Sequence, residues 1–91
     1  MEEMKKSYVV KYKSFLEKDV LEKRTRTQEY FNGIRIGFER EVITYGYTDR
    51  ICEVLIRAKD ESDAYSMALS NRCEIGISEI MSINEIKVFG R

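Results

Sequence analysis

The chain has 91 residues, which is enough for one domain with a single core but too few to enclose a deep cavity. Sixteen Lys and Arg residues balance sixteen Asp and Glu residues, so no overall electrostatic field favours nucleic acid or an anionic membrane. The sequence has no histidine, which excludes histidine metal sites and nucleophiles activated by a histidine base. It also lacks a glycine-rich phosphate loop and a Cys-x-x-Cys pair. We therefore predict a protein that is not an enzyme and that holds no cofactor and no metal.

The cysteines and the lengths of the apolar segments indicate where in the cell the protein is located. Cys52 falls at a predicted core position and Cys73 is the other cysteine, so we expect free thiols in a reducing compartment. The opening residues are not followed by an apolar segment of signal-peptide length, and no run approaches the roughly 20 apolar residues that span a bilayer. These observations predict a soluble, cytoplasmic protein with no membrane partner.

The first element is expected after a flexible N-terminus at residues 1–6, and a single domain is expected to fill residues 7–91. Ser7 to Leu16 alternates apolar and polar side chains and is rich in β-branched and aromatic residues, which predicts a half-buried strand. Val20 to Thr27 is interpreted as a second strand. A tight turn at Lys18-Asp19 would pair Leu16 with Leu21, which makes the two segments a hairpin.

This predicted hairpin would carry a cluster of basic side chains. Its register places Lys11 opposite Arg26 and Lys13 opposite Arg24. Like charges directly opposite on a strand pair destabilise it by roughly 0.2 to 1 kcal/mol, so an anionic partner would compensate. The alternative is a solvated edge, because edge strands often carry lysines that prevent edge-to-edge pairing. We take these four residues as candidate partner-binding residues.

Asn32-Gly33 is the strongest turn signal in the chain, because both residues tolerate the positive φ angles of a hairpin turn. Alternation from Ile34 to Phe38 predicts a strand after this turn, and Val42 to Tyr47 is again typical of a strand. A helix over residues 35–44 is the main local alternative.

Aromatic residues cluster in the same region. Five of the ten aromatic residues lie within eighteen positions: Tyr30, Phe31, Phe38, Tyr45 and Tyr47. Tyr45 and Tyr47 would share one face of their strand, where they could anchor a protein partner or stack on bases. Burial in the core is the alternative, because aromatic side chains cover so much area. We include these two tyrosines among the candidate partner-binding residues.

The stretch from Ile51 to Asn71 predicts a core strand that runs into a capped helix. Apolar residues recur at every second position from Cys52 to Ala58, with Glu53 and Arg57 on the opposite side. Leu55 is an exception on that side and indicates that the other face is partly covered too. Asp60 then suits the N-cap of a helix over about residues 61–71, and Asp63 can bond back toward it. Ala64 and Ala68 form a row of small residues that suits close packing on a sheet, with Tyr65 and Leu69 as the next row of the apolar stripe.

The C-terminal segment is ambiguous between helix and strand. Isoleucines at positions 80, 83 and 86 suit a helical turn, whereas the β-branched content suits a strand. We expect a strand over about Ile77 to Ile83 and a short element over Glu85 to Phe89. If the strand pairs parallel with residues 51–58, the crossover should be right-handed.

The elements together predict an α+β fold. Its small antiparallel sheet of four to five strands would run as a meander through residues 7–58, with one helix packed on one face and a last strand after it. A single helix cannot cover such a sheet, so a homodimer is a further expectation.

Two functions follow from these features. In the first, the protein is a small non-catalytic module that binds another protein and acts by occlusion or assembly. In the second, it binds nucleic acid, with the basic hairpin on phosphates and the tyrosines on bases. The balanced net charge favours the first. Ten Ile against three Ala, with no Pro, indicates an A/T-rich coding sequence, as in low-GC bacteria and their phages. A phage- or mobile-element-encoded inhibitor or anti-defence protein is therefore a natural instance of the first function.

Overall fold

The computed structural model describes residues 5–27, 29–37 and 50–86. These residues form an antiparallel sheet of five strands and three short helices, which confirms the α+β class. The strands are β1 (Lys6–Ser14), β2 (Tyr30–Phe31), β3 (Ile34–Ile36), β4 (Ile51–Ala58) and β5 (Ile77–Ile86). The helices are α1 (Lys18–Thr27), α2 (Glu61–Ser70) and α3 (Arg72–Ile75).

The strand order in the sheet is β2-β3-β4-β1-β5. β2, β3 and β4 are neighbours in chain order, as a meander requires, but β1 lies between β4 and β5 and pairs antiparallel with both. The predicted meander is therefore wrong for the first strand. β4 and β5 run parallel to each other without pairing, because β1 separates them, and α2 makes the connection between them.

The predicted basic hairpin is wrong, because Val20 to Thr27 belongs to α1 and does not pair with β1. Only Val20 and Leu21 are apolar in this helix, so the sequence shows no apolar stripe at helical spacing. Leu21 is buried in the core and is the described side chain that anchors the helix. The hairpin register that brought Lys11 beside Arg26 therefore does not form.

The core lies on one face of the sheet, under α2. The alternating apolar residues of β4 are fully buried there, as the sequence predicts, together with those of β1 and β3. Ala64 and Ala68 of α2 are also fully buried, which confirms that small residues bring this helix close to the sheet. Tyr65 was expected in the same stripe but is 47% exposed. Its position, about 100° round the helix from Ala64, turns it away from the sheet, and Met67 packs against the core instead.

Asp60 and Asp63 form side-chain hydrogen bonds at the N-terminal end of α2. The Oδ1 atom of Asp60 accepts a hydrogen bond from the backbone N–H of Asp63 at 2.7 Å, as the predicted N-cap requires. The Oδ2 atom of Asp63 accepts from the backbone N–H of Lys59 at 3.3 Å, one residue before the cap. The reciprocal pattern is that of a capping box with aspartate in place of glutamate.

The β2–β3 hairpin turns at Asn32 and Gly33, which have φ angles of 49° and 79°. Both values lie in the left-handed region that the Asn-Gly signal predicts. The Nδ2 atom of Asn32 donates to Oδ1 of Asn71 at 3.2 Å, and Nδ2 of Asn71 donates to the carbonyl of Met67 at 2.8 Å. These bonds join the hairpin turn to the C-terminal end of α2.

β5 confirms the strand that the sequence predicts over Ile77 to Ile83 and continues to Ile86. Its register against β1 shifts twice, so that Ser78 and Met81 have no opposite residue and form bulges. Residues 87–91, where the rest of the second C-terminal element was expected, lie outside the described residues. So do residues 1–4 and 38–49, which include the predicted strand at Val42 to Tyr47 and most of the alternative helix over 35–44.

Candidate functional site

The sheet face opposite α2 is the candidate site, and we call it the open face. Its side chains alternate with the buried ones along each strand, so they point away from the helix. All fourteen buried hydrophobic residues in the described part of the chain belong to the core cluster on the other side, whereas no described residue of the open face is buried. The described members of the open face are Ser7, Val9, Lys11, Lys13, Tyr30, Arg35, Ile51, Glu53, Leu55, Arg57, Glu79, Ser82, Asn84 and Ile86.

One row of side chains crosses the whole open face. Each neighbouring pair in the row is directly opposite in the strand register, and the row runs Tyr30, Arg35, Leu55, Val9, Asn84 from β2 to β5. Strands lie about 4.8 Å apart, so the row spans roughly 19 Å. Its centre is a half-buried aliphatic pair, Leu55 beside Val9, and its β2 end is a tyrosine that is 69% exposed.

Two further rows carry opposite charges next to each other. Lys11 is exposed and lies between Glu53 of β4 and Ser82 of β5. Lys13 lies between Ile51 and Glu79 in the same way. Directly opposite side chains are about 4.5 to 5.5 Å apart at Cβ, and opposite charges at that separation stabilise a sheet by roughly 0.2 to 1 kcal/mol. The lysines of β1 are therefore matched by acids of the neighbouring strands, and they do not face other basic residues across a hairpin.

The predicted partner-binding residues are distributed over different parts of the chain. Lys11 and Lys13 lie together on the open face, on β1. Arg24 and Arg26 lie in α1 and do not join them in a strand pair. Tyr45 and Tyr47 lie outside the described residues. Of the six, only Lys11 and Lys13 are thus brought together by the described structure.

The centre of the open face is not among the predicted site residues. Leu55 interrupts the alternation of its strand in the sequence, and Val9 and Arg35 belong to no predicted site. The signal that could have found them is electrostatic: placing β1 between β4 and β5 pairs Lys11 with Glu53, whereas the hairpin opposes like charges. Charge matching between distant strands favours the observed order.

The open face is moderately basic. Among its described members, four basic residues outnumber two acidic ones. The basic residues are Lys11, Lys13, Arg35 and Arg57, and the acidic residues are Glu53 and Glu79. A partner with an apolar centre and acidic surroundings would complement this distribution.

The molecule is acidic at the start of α2, on the core side of the sheet. Burial raises the pKa of the Tyr8 phenol above its usual 10.0, and the negative charges of Glu85, Asp60 and Glu61 raise it further. Glu85 lies opposite Tyr8 in the β1–β5 register. These three carboxylates therefore lie within electrostatic reach of one hydroxyl, at the end of the sheet where α2 begins.

Within the described ranges, no group of three or more His, Cys, Asp and Glu side chains is placed to hold a metal ion. Cys52 is buried, Cys73 is exposed, and both are free thiols, as the sequence predicts. None of the helices among the described residues is long and apolar enough to span a bilayer. Comparison of the chain with protein-family models, curated proteins and solved structures found no match.

Proposed function

We propose that this protein is a small non-catalytic module that binds another protein through the open face. The observation that carries the proposal is the row across the sheet. It combines an aliphatic centre at Leu55 and Val9 with an exposed tyrosine at one end and charged neighbours on both sides. An apolar centre surrounded by polar and charged groups is the arrangement that protein interfaces use.

Among the residues that the structure describes, the open face contributes nothing to the fully buried core. Every buried hydrophobic residue among residues 5–27, 29–37 and 50–86 packs on the side of α2. Leu55 and Val9 are nevertheless half-buried and lie opposite each other across β4 and β1, and Ile51, which is also half-buried, lies further along β4. Covering them with a partner would bury apolar area that the isolated protein leaves in contact with water, at roughly 25 cal/mol per Å².

Nucleic-acid binding is the second candidate function, and it is supported by the basic balance of the open face. Single-stranded nucleic acid is bound by sheet faces through aromatic side chains at the centre, on which bases stack. The centre of this open face is aliphatic, and its described aromatic residue, Tyr30, lies at the edge. Aliphatic side chains fit a protein partner better than a base, so we place protein binding first.

The test is retention of proteins from a nuclease-treated cell extract by the immobilised chain and its variants. Leu55→Gln should lower the amount of a specifically retained protein about tenfold, because a central interface residue contributes more than about 1 kcal/mol. Lys11→Glu should lower it less, because a charge at the periphery acts mainly on the association rate. Arg72→Glu makes the same charge change at an exposed position of α3, which packs on the core side of the sheet, and should leave retention unchanged.

Equal retention by all variants would contradict the proposal, because the bound protein would then use another surface. Fluorescence anisotropy with short DNA and RNA over a salt series distinguishes the second function. Tight, salt-dependent binding that is lost in Lys11→Glu would favour nucleic acid as the partner.

The mode of action that we propose is occlusion or assembly, since a rigid sheet face can cover a partner surface without any chemistry. The amino-acid bias toward isoleucine and away from alanine and proline supports a phage or mobile-element origin. An inhibitor of a host or defence protein would be an instance of this mode. A cytoplasmic location agrees with the free thiols of Cys52 and Cys73.

A further inference from the structure

The edge strand β5 is a second surface with features that the open face does not explain. At ten residues it is the longest strand of the sheet, and within the described part of the chain it pairs only with β1. The strand at the opposite edge, β2, has two residues. An edge strand leaves a row of backbone N–H and C=O groups available for another strand, and a long edge offers more of them.

The two halves of β5 differ in their suitability for pairing. Its first half carries the bulges at Ser78 and Met81, which bend a strand and hinder addition of another one. Its second half, residues 82–86, follows the register of β1 without a shift from Ser82 opposite Lys11 to Ile86 opposite Ser7. Natural edges are commonly protected by charged side chains, especially lysine, or by proline; residues 82–86 contain one charged residue, Glu85, and neither lysine nor proline. Residues 82–86 of β5 are therefore the part of this sheet edge that suits the addition of another strand.

The charges around this half specify the chemistry of the added strand. Glu85 is its charged residue and is exposed. The negative charges of three acids reach the Tyr8 hydroxyl and raise its pKa, so these acids lie at one corner of the molecule. We call this the acidic corner, and its members are Glu85, Asp60 and Glu61. A strand with lysine or arginine at the position facing Glu85 would pair with these acids. Its apolar residues would alternate with the basic ones and lie on the other side of the sheet, opposite Ile86, which is 38% exposed.

A second copy of this chain suits the edge less well. Antiparallel pairing of residues 82–86 with themselves, centred on Asn84, would place Ile83 opposite Glu85 in both halves. It would also bring the acidic corners of the two copies onto the same side of a joined sheet, where they would repel each other. Charge complementarity thus favours a basic partner segment over self-association.

We infer that residues 82–86 of β5 form a strand-addition site that takes an extended segment of a partner protein in which basic and apolar residues alternate. Main-chain hydrogen bonds would provide the binding, and Glu85 with the neighbouring acids of α2 would select for basic side chains. This site lies on the edge of the sheet, whereas the proposed docking site lies on its open face. Either proposal can therefore be contradicted by experiment while the other still holds.

The experiment is an NMR titration of the isotopically labelled full chain with short, end-blocked peptides. The first peptide alternates lysine and valine, the second alternates glutamate and valine, and the third repeats the first with an N-methyl group at every residue, which blocks both edges of the strand. The lysine peptide should shift the backbone amide signals of residues 82–86 in a saturable way, and the glutamate peptide should not. The N-methylated peptide keeps the charges but cannot form the ladder, so it should bind at least tenfold more weakly.

Two variants test the assignment of the charge. Glu85→Lys should weaken binding of the lysine peptide roughly five- to tenfold, because it reverses the charge beside the added strand. Glu79→Lys makes the same change in the bulged half and should weaken binding less. An unchanged signal pattern for residues 82–86 at saturating lysine peptide would overturn the inference, as would equal binding of the N-methylated peptide. Dimerisation of the free chain through β5, measured by sedimentation, would overturn it in favour of a second copy.

Discussion

At the scale of single residues, two positions with positive φ angles require glycine for different physical reasons. Gly33 has φ of 79° in the β2–β3 turn, and a Cβ there would meet nothing within 4 Å. Gly76 has φ of 95° at the end of α3, and a Cβ there would overlap the side chain of Leu16. The carbonyl of Gly76 also accepts a hydrogen bond from the N–H of Phe15 at 3.0 Å. Gly76 therefore fixes the chain after β1 against the start of β5.

Replacing these glycines by alanine separates the two effects. Gly33→Ala should lower the free energy of unfolding by about 1 to 2 kcal/mol, the cost of placing a Cβ in the left-handed region. Gly76→Ala should lower it by a further 1 to 3 kcal/mol or so, because the methyl group also displaces Leu16. Urea denaturation of both variants measures the difference. Equal losses would show that Leu16 moves aside without cost.

Tyr8 connects the core to the acidic corner and makes stability depend on alkaline pH. Burial is the main cause of its raised pKa, followed by the charges of Glu85, Asp60 and Glu61. The unfolded chain loses this proton near pH 10.0, while the folded protein still holds it. The associated stability is thus complete below about pH 10 and is lost as the pH rises further.

The Tyr8→Phe variant tests this dependence. Wild type should lose free energy of unfolding above pH 10 more steeply than Tyr8→Phe, because phenylalanine has no proton to lose. Tyr30→Phe removes a hydroxyl at an exposed position and is the matched control, which should follow the wild-type slope. Chemical denaturation at a series of pH values gives the slopes. Parallel curves for wild type and Tyr8→Phe would contradict the assignment.

At the scale of elements, the sequence predicts β4 and α2 best because their signals are local. The strand alternates at every second residue, Asp60 caps the helix, and the small residues Ala64 and Ala68 mark its buried side. Each signal is contained within a few neighbouring residues and does not depend on the rest of the fold. The same is true of the Asn32-Gly33 turn, whose φ angles follow from its two residue types.

α1 shows what a local pattern does not reveal. Its residues from Glu22 to Thr27 are all polar, so neither helical nor strand periodicity identifies a buried side. Leu21 alone anchors the helix in the core among its described side chains. Thr25 and Thr27 favour a strand by intrinsic propensity. The packing of Leu21 in the core and the connection from β1 nevertheless favour a helix for this segment.

Close packing of α2 on the sheet leads to a prediction about volume. Ala68→Leu should lower the free energy of unfolding by roughly 1 to 3 kcal/mol, because the added carbons have no space between helix and sheet. Ser66→Leu adds a larger apolar side chain at an exposed position of the same helix and should change stability by less than about 0.5 kcal/mol. Thermal or urea denaturation compares them. An unchanged midpoint for Ala68→Leu would mean that this face of α2 does not contact the sheet.

At the scale of the whole molecule, strand order was the property that the sequence analysis did not predict. β1 is separated from β4 by more than thirty residues, yet it pairs with β4 along its length, from Lys6 opposite Ala58 to Lys13 opposite Ile51. Local periodicity identifies strands without saying which of them are neighbours. Consequently Lys11 and Lys13 were predicted as candidates but given the wrong neighbours, and Arg24 and Arg26 were joined to them incorrectly.

The strand order also determines what the molecule can present to a partner. With β1 between β4 and β5, its two lysines lie among acids of both neighbouring strands on the open face, next to the aliphatic pair of Leu55 and Val9. The core and the acidic corner lie on the other side, with α2. The two faces of this small sheet therefore differ in both apolar content and charge.

Site-specific photo-crosslinking in cells tests the central claim, that a protein docks on the open face, most directly. A photoreactive benzoylphenylalanine replaces exposed Lys11 on the open face, and in a matched control it replaces exposed Arg72 of α3 on the core side of the sheet. We predict a discrete adduct with another protein from position 11 that resists nuclease and is much weaker from position 72. Adducts of equal yield from both positions, or an adduct at position 11 that nuclease removes, would contradict the account.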